Sequence, residues 1–294
     1  MVTMVKTVND ATLDLAAELR ARGVAGSRLE ARELVAFALQ IAPDELYRKR
    51  SLYIFDETLR EIERLKELRL SGVPLPHIIG QWDFYGLTFE VTTDTLIPRP
   101  DTETLVECGV EFLRGRTRGR LLDLCCGTGC VGIAALKNLS AEMSGVLADL
   151  SEPALQVARR NLARHGVSGR ASTVMLDALQ PFDAALGRFQ LILCNPPYIP
   201  SGEIDGLDAE VRREPRMALD GGGDGLDFYR AVAANARQVL TAGGALMFEV
   251  GLGQAEPVMD ILRGQGYEQI RCRCDLAGIE RVVVGCGVRG GEEK

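Results

Sequence analysis

Leu121-Leu122-Asp123-Leu124-Cys125-Cys126-Gly127-Thr128-Gly129-Cys130 decides the fold class. An apolar run with a single carboxylate breaks at two glycines and enters the helical pattern of residues 131–138, which is the strand–turn–helix of a parallel α/β sheet. Glycines at such a turn let the backbone come close to a ligand, and the N–H groups at the helix start suit a carboxylate or another electron-rich group. Tight packing explains the turn equally well on its own. Gly127, Gly129 and Gly132 have the spacing of the dinucleotide fingerprint G-x-G-x-x-G, a weak signal on its own, since such strand-to-helix turns serve several kinds of ligand.

On either side of this stretch the same alternation continues. Strand-like runs fall at residues 120–124, 145–148, 173–176, 191–194, 245–250, 267–273 and 281–286, with helical patterns at 131–138, 152–165, 225–240 and 255–263. Ahead of residue 72 the pattern is helical: Leu13, Ala16, Ala17 and Leu19 form one stripe, Leu29, Leu34, Val35, Phe37 and Ala38 a second, and Leu59, Ile62, Leu65 and Leu68 a third. Pro43-Asp44-Glu45 reads as a helix start. Residues 71–76 break the helical period, and 82–85 with 88–91 across Gly86 predict a β-hairpin. The expected organisation is therefore a helical domain over 1–72, a linker with a hairpin over 73–95 and an α/β domain over 96–294, with a frayed tail at Gly290–Lys294.

Composition narrows the function classes. The 294 residues are 46% hydrophobic and 26% charged, as in soluble globular proteins, and carry a net charge of −7 that is negative on both sides of residue 95. A protein that coats nucleic acid is excluded on that balance. No apolar run approaches the roughly 20 residues of a membrane span. Residues 1–15 contain no apolar segment with a cleavage site, so a cytoplasmic location is expected. The eight cysteines lie mostly in apolar stretches and predict neither a disulfide framework nor, with only His77 and His165 as histidines, a metal site.

Two further features carry chemistry. Asp149 follows the apolar run 145–148 about twenty residues after the glycine turn, where a carboxylate would grip a ribose diol; capping of the next helix is its plainer reading, a task Ser151 can also fill. Asn195-Pro196-Pro197-Tyr198 then follows a buried strand. Its prolines fix the backbone and remove two donors, so carbonyls and the Asn195 side chain are left to present acceptors to a planar amide or amine against Tyr198.

On Asp123–Gly129, Asp149 and Asn195–Tyr198 the chain resembles the class I S-adenosylmethionine-dependent methyltransferases that modify a planar nitrogen, adenine or glutamine. Further stretches narrow the resemblance: Pro74–Leu87, Ile97-Pro98-Arg99-Pro100-Asp101-Thr102-Glu103, Glu214 to Leu226, Phe248-Glu249-Val250-Gly251 with Gln254, and Asp275-Leu276-Ala277-Gly278 before Arg281. Together they are similar to the bacterial peptide-chain release factor glutamine methyltransferases over nearly the whole chain. Cys125 and Cys126 depart from the glycine and threonine common there, and His77 from a usual tyrosine.

The resemblance implies a five-helix N-terminal domain for substrate binding and a Rossmann-like domain with a seven-stranded mixed sheet whose last strand is antiparallel. It implies S-adenosyl-L-methionine as cofactor, S-adenosyl-L-homocysteine as product, and the glutamine of a Gly-Gly-Gln motif in class-1 release factors as target. It places Cys125, Cys126, Gly127, Thr128, Gly129, Asp149, Asp177, Ala178 and Asn195 around the cofactor. Asn195, Pro196 and Tyr198 become the catalytic residues, with Pro197 and Arg99 joining them at the substrate. The expected partner is the release factor, with no stable nucleic acid, no membrane and a monomeric enzyme.

Plainer readings stand beside several of these. Asp177 also suits a strand-closing turn, and Arg99 with Glu103 an i,i+4 pair at a helix start. The run Gly221–Gly225 reads as a mobile loop or a tight connection, and Arg114, Arg116, Arg118 and Arg120 as a solvated loop without interleaved aromatics. Glutamine methylation of a ribosomal protein and, further off, adenine methylation are the alternative functions.

Overall fold

The computed structural model describes residues 5–288; the tail expected to fray lies outside them. The chain divides into two compact units, one of residues up to Gly80 with Ala209–Arg213, the other of Gln81–Asp208 and the residues from Glu214.

The first unit runs β1 (Lys6–Thr7), α1 (Val8–Ala21), α2 (Ser27–Leu39), α3 (Glu45–Lys49), β2 (Tyr53–Ile54), α4 (Asp56–Leu70) and α5 (Leu75–Ile79), and β1 pairs antiparallel with β2. Thr7 starts α1 by accepting from Asp10 N through its hydroxyl at 3.1 Å. The helices bury Ala16, Leu19, Leu34, Val35, Ile62 and Leu65 of the stripes expected from their spacing, but Leu13, Ala17, Leu29 and Phe37 are exposed and Leu15 takes the inner face of α1 instead. Arg69 of α4 is buried and bonds Glu30 of α2 at 2.5 Å and Glu210 of the returning segment at 2.6 Å, so its charge is paired on both sides.

The second unit opens with the hairpin β3 (Gln81–Phe84) and β4 (Leu87–Glu90). Its two-residue turn places Tyr85 at φ 52° and Gly86 at φ 70°, the left-handed pair that matches strand twist, and Glu103 Oε1 accepts from Tyr85 N at 2.7 Å. There follow α6 (Glu103–Leu113), β5 (Gly119–Leu124), α7 (Cys130–Asn138), β6 (Met143–Asp149), α8 (Glu152–Arg164), β7 (Ala171–Met175), β8 (Phe189–Cys194), α9 (Asp227–Ala236), β9 (Leu240–Glu249), α10 (Ala255–Gly264), β10 (Tyr267–Cys274) and β11 (Glu280–Val288). The sheet order is β10-β11-β9-β8-β5-β6-β7, and β11, the last strand, is antiparallel to both neighbours. This is the seven-stranded mixed sheet expected of a Rossmann-like methyltransferase.

Period-two alternation divides the core between the two faces of the sheet. Leu121, Leu191, Leu193 and Met247 pack on one side, and Leu122, Leu124, Ile192, Leu246 and Phe248 on the other. The order in which strands are added reverses at β5, with β6 to one side and β8 to the other, both parallel to it, and the crevice at their carboxyl ends is the place such a sheet binds ligands. Arg114, Arg116 and Arg118 are exposed, as a solvated loop requires, but Arg120 is not part of it. Its guanidinium lies 4.7 Å over the Phe189 ring and donates to Leu186 O at 3.0 Å.

Candidate active site

A cavity of about 350 Å³ opens at the carboxyl ends of β5, β6 and β8. One wall is made by backbone. The turn after β5 has Cys125 at φ 59°, Gly127 at φ 51° and Gly129 at φ 78°. A Cβ on Gly129 would lie 2.7 Å from Leu147 Cδ2, so both conformation and space require glycine there. Asp123, buried beneath the turn, accepts from Gly132 N at 2.8 Å; burial raises its carboxyl to about 7 against that bond.

Asp149 ties this wall together: Oδ2 accepts from Gly127 N and Oδ1 from Ser151 N, both at 2.9 Å. Ser151, not Asp149, caps α8, accepting from Ala154 N at 3.2 Å. Burial raises the Asp149 carboxyl, and the backbone N–H bonds oppose the rise. Each carboxylate oxygen has a second acceptor site, so a ribose diol can be held without breaking the turn. Asp177 forms the strand-closing turn of its plainer reading, accepting from Leu179 N at 2.9 Å, and also borders the cavity with Ala178.

The opposite wall is made by side chains. Asn195 and Pro197 line the cavity; Pro196 is buried and Tyr198 half-buried against the core, and neither reaches the cavity surface. Gly129 also lies behind the surface, whereas Cys125, Cys126, Gly127 and Thr128 form it. Asn195 Nδ2 donates to the hydroxyl of Thr102, a buried residue that also lines the cavity, at 3.3 Å. Arg99 lines it too, but its partner is Glu214 rather than Glu103, which instead braces the hairpin; the expected i,i+4 pair does not form. Glu214 holds the segment further by accepting from Ile97 N at 2.8 Å.

The glycine run 221–225 is a tight connection. Its two ends pack against the backbone of the Asn195–Tyr198 turn, where a Cβ on Gly221 would stand 2.7 Å from Tyr198 Cα and one on Gly225 2.3 Å from Tyr198 O. Gln254 locks the same turn, donating to Tyr198 O at 2.9 Å while accepting from Gly251 N at 3.0 Å. Thr102, Glu214 and Gln254 have no task legible in the sequence, because their partners lie 56 to 117 residues away.

The chain matches two family models, the PrmC N-terminal domain over residues 10–80 and the Methyltransferase small domain over 102–226. The release factor glutamine methyltransferase of Bradyrhizobium diazoefficiens is 38% identical over 283 residues, covering 95% of this chain and 94% of that one. That of Geobacter sulfurreducens is 39% identical over 269 residues, covering 91% and 92%. Among solved structures, the hMettl16 catalytic domain in complex with a MAT2A 3'UTR hairpin superposes with a TM-score of 0.57 at 16% identity, over 75% of this chain and 81% of that one. A methyltransferase from Pyrococcus furiosus gives 0.50 at 17%, over 69% and 90%. These two likenesses concern the fold, and the sequence relatives go further: the chain belongs to the release factor glutamine methyltransferase family.

Proposed function

We propose that this enzyme methylates the side-chain amide nitrogen of the glutamine in the Gly-Gly-Gln motif of class-1 peptide-chain release factors, using S-adenosyl-L-methionine. The observation that carries the reading is the position of the Asn195 carboxamide, at the cavity surface opposite a glycine turn braced by Asp149. The turn fits an adenosyl cofactor on its own chemistry: N–H groups at a helix start, a carboxylate with acceptor sites to spare, and glycine where a side chain would collide.

Cys125–Gly129 would then hold the methionine and ribose part, Asp149 the ribose hydroxyls, and Asp177 with Ala178 the adenine. When bound, the cofactor supplies an electrophilic methyl group. An amide nitrogen is a weak nucleophile because its lone pair is shared with the carbonyl, so this chain's task is to hold it in line. Asn195 Oδ1 accepts one of its N–H bonds and the Pro196 carbonyl, beyond the cavity surface where the substrate extends the site, the other, and both favour the positive charge that grows on nitrogen. Pro197 shapes the wall, Tyr198 packs on the amide plane where the substrate extends the site, and the charged amide gives its proton to water. Arg99, held by Glu214, faces the incoming protein. Residues 1–72 serve as the substrate-binding domain, 73–95 as linker and 96–294 as the catalytic domain. The enzyme works as a monomer in the cytoplasm, with no stable nucleic-acid partner. Among the described residues no helix is long and apolar enough to cross a membrane.

Transfer of labelled methyl from the cofactor to purified release factor, to the same factor with the motif glutamine changed, to ribosomal proteins and to duplex DNA tests the proposal. Label on the intact factor alone is expected. Label on DNA or only on ribosomal proteins overturns it.

A further inference from the structure

The side chain of Glu249, at the end of β9, is 3% exposed, and its Oε2 has no hydrogen-bond partner among the described residues. A buried carboxylate with an idle oxygen costs stability unless something nearby uses it. The register places it beside the substrate wall: Phe248 pairs with Cys194, so Glu249 stands next to Asn195. Burial pushes its carboxyl up to about 7, against hydrogen bonding from Thr102 and Asn195. The Arg281 charge favours its ionised form, but Arg281 is itself bonded to Asp101 at 2.8 Å and Asp275 at 3.0 Å and makes no ion pair with it. Tyr229 donates to the Glu249 backbone carbonyl at 3.0 Å, which leaves the carboxylate to the site. Glu249 itself does not line the cavity, whereas Asn195 and Thr102 do.

A carboxamide has the same shape with its oxygen and nitrogen exchanged, so only its neighbours decide which end faces the substrate. An ionised carboxylate accepts and never donates. We propose that Glu249 is a positioning residue: with the Thr102 oxygen it takes the Asn195 nitrogen, which fixes Asn195 Oδ1 toward the substrate and so makes the site prefer an amide to a carboxylate. The inference rests on the reading that Asn195 Oδ1 receives a substrate N–H. It goes further by naming what enforces glutamine over glutamate.

The test uses the whole enzyme at pH 8 and the Glu249→Gln variant, whose new amide can donate as well as accept. Affinity is measured with S-adenosyl-L-homocysteine present, for release factor and for the same factor with its motif glutamine changed to glutamate. Glu249→Gln is expected to lower kcat about tenfold or more and to narrow the glutamine-over-glutamate preference by a similar factor, with binding of the glutamate factor strengthened. Glu249→Asp, which stays an acceptor, is expected to keep the preference and serves also if the glutamine variant folds poorly. Unchanged selectivity, or equal weakening toward both factors, overturns the proposal. Absence of methyl transfer by the unmodified enzyme would instead overturn the release-factor reading.

Discussion

The two walls of the cavity are built differently. The wall from Cys125 to Gly129 is backbone, held by left-handed glycines and by an Asp149 carboxylate that bonds main-chain N–H groups on two successive turns. The wall at Asn195 is side chain: a carboxamide held by Thr102, on a turn clamped by Gln254 and by the glycines at 221 and 225. A wall made of backbone asks little of the side chains at Cys125 and Cys126. A side-chain wall discriminates, because one donor or acceptor exchanged changes what it accepts.

If that division holds, substitutions on the two walls separate. The largest effect is expected from Asn195→Ala, which should lower kcat by a factor of about 10³ with an unchanged melting temperature, since it removes an acceptor that acts on developing charge. Retention of more than a few per cent of the rate would assign the role elsewhere. Gly129→Ala should act on folding instead. Its methyl meets Leu147 at φ 78°, and denaturant unfolding should show a loss of about 2–4 kcal/mol. Asp149→Ala removes the acceptor of Gly127 N and the expected diol contact, so cofactor Kd measured by calorimetry should rise about tenfold to a hundredfold.

A further prediction concerns pH, where the effect per unit is the smallest. Asp123 has its carboxyl raised from 3.8 to about 7, so between those values the folded protein holds a proton that the unfolded chain has lost. Stability therefore falls as pH rises through that window, and the penalty is complete above about 7. Asp123→Asn, which can still accept from Gly132 N, should flatten the fall by at most about 1.4 kcal/mol per pH unit in unfolding titrations. An unchanged slope would place the proton elsewhere.

Most of the fold was legible because it is local. The seven strands and the hairpin follow from period-two runs and turn glycines, and differ from expectation only at their ends. The helix expected over 225–240 stops at Ala236 because β9 already begins at Leu240, its first residues obscured by Thr241-Ala242-Gly243-Gly244. The site was legible where chemistry sits in one contiguous stretch, as in the glycine turn and Asn195–Tyr198. It was not legible where partners meet across the fold. Arg99 finds Glu214 rather than Glu103, and Glu249 stands beside Asn195 only because β8 and β9 are neighbours. Nor does spacing say that Gly221 and Gly225 are small for the sake of Tyr198.

Single-turnover methyl transfer to release factor, run with Asp149→Ala and Asn195→Ala over rising cofactor concentration, tests the division of labour most directly. The Asp149 variant should approach the unmodified rate as cofactor saturates, and the Asn195 variant should stay slow at every concentration. An Asn195 variant rescued by cofactor would contradict the account.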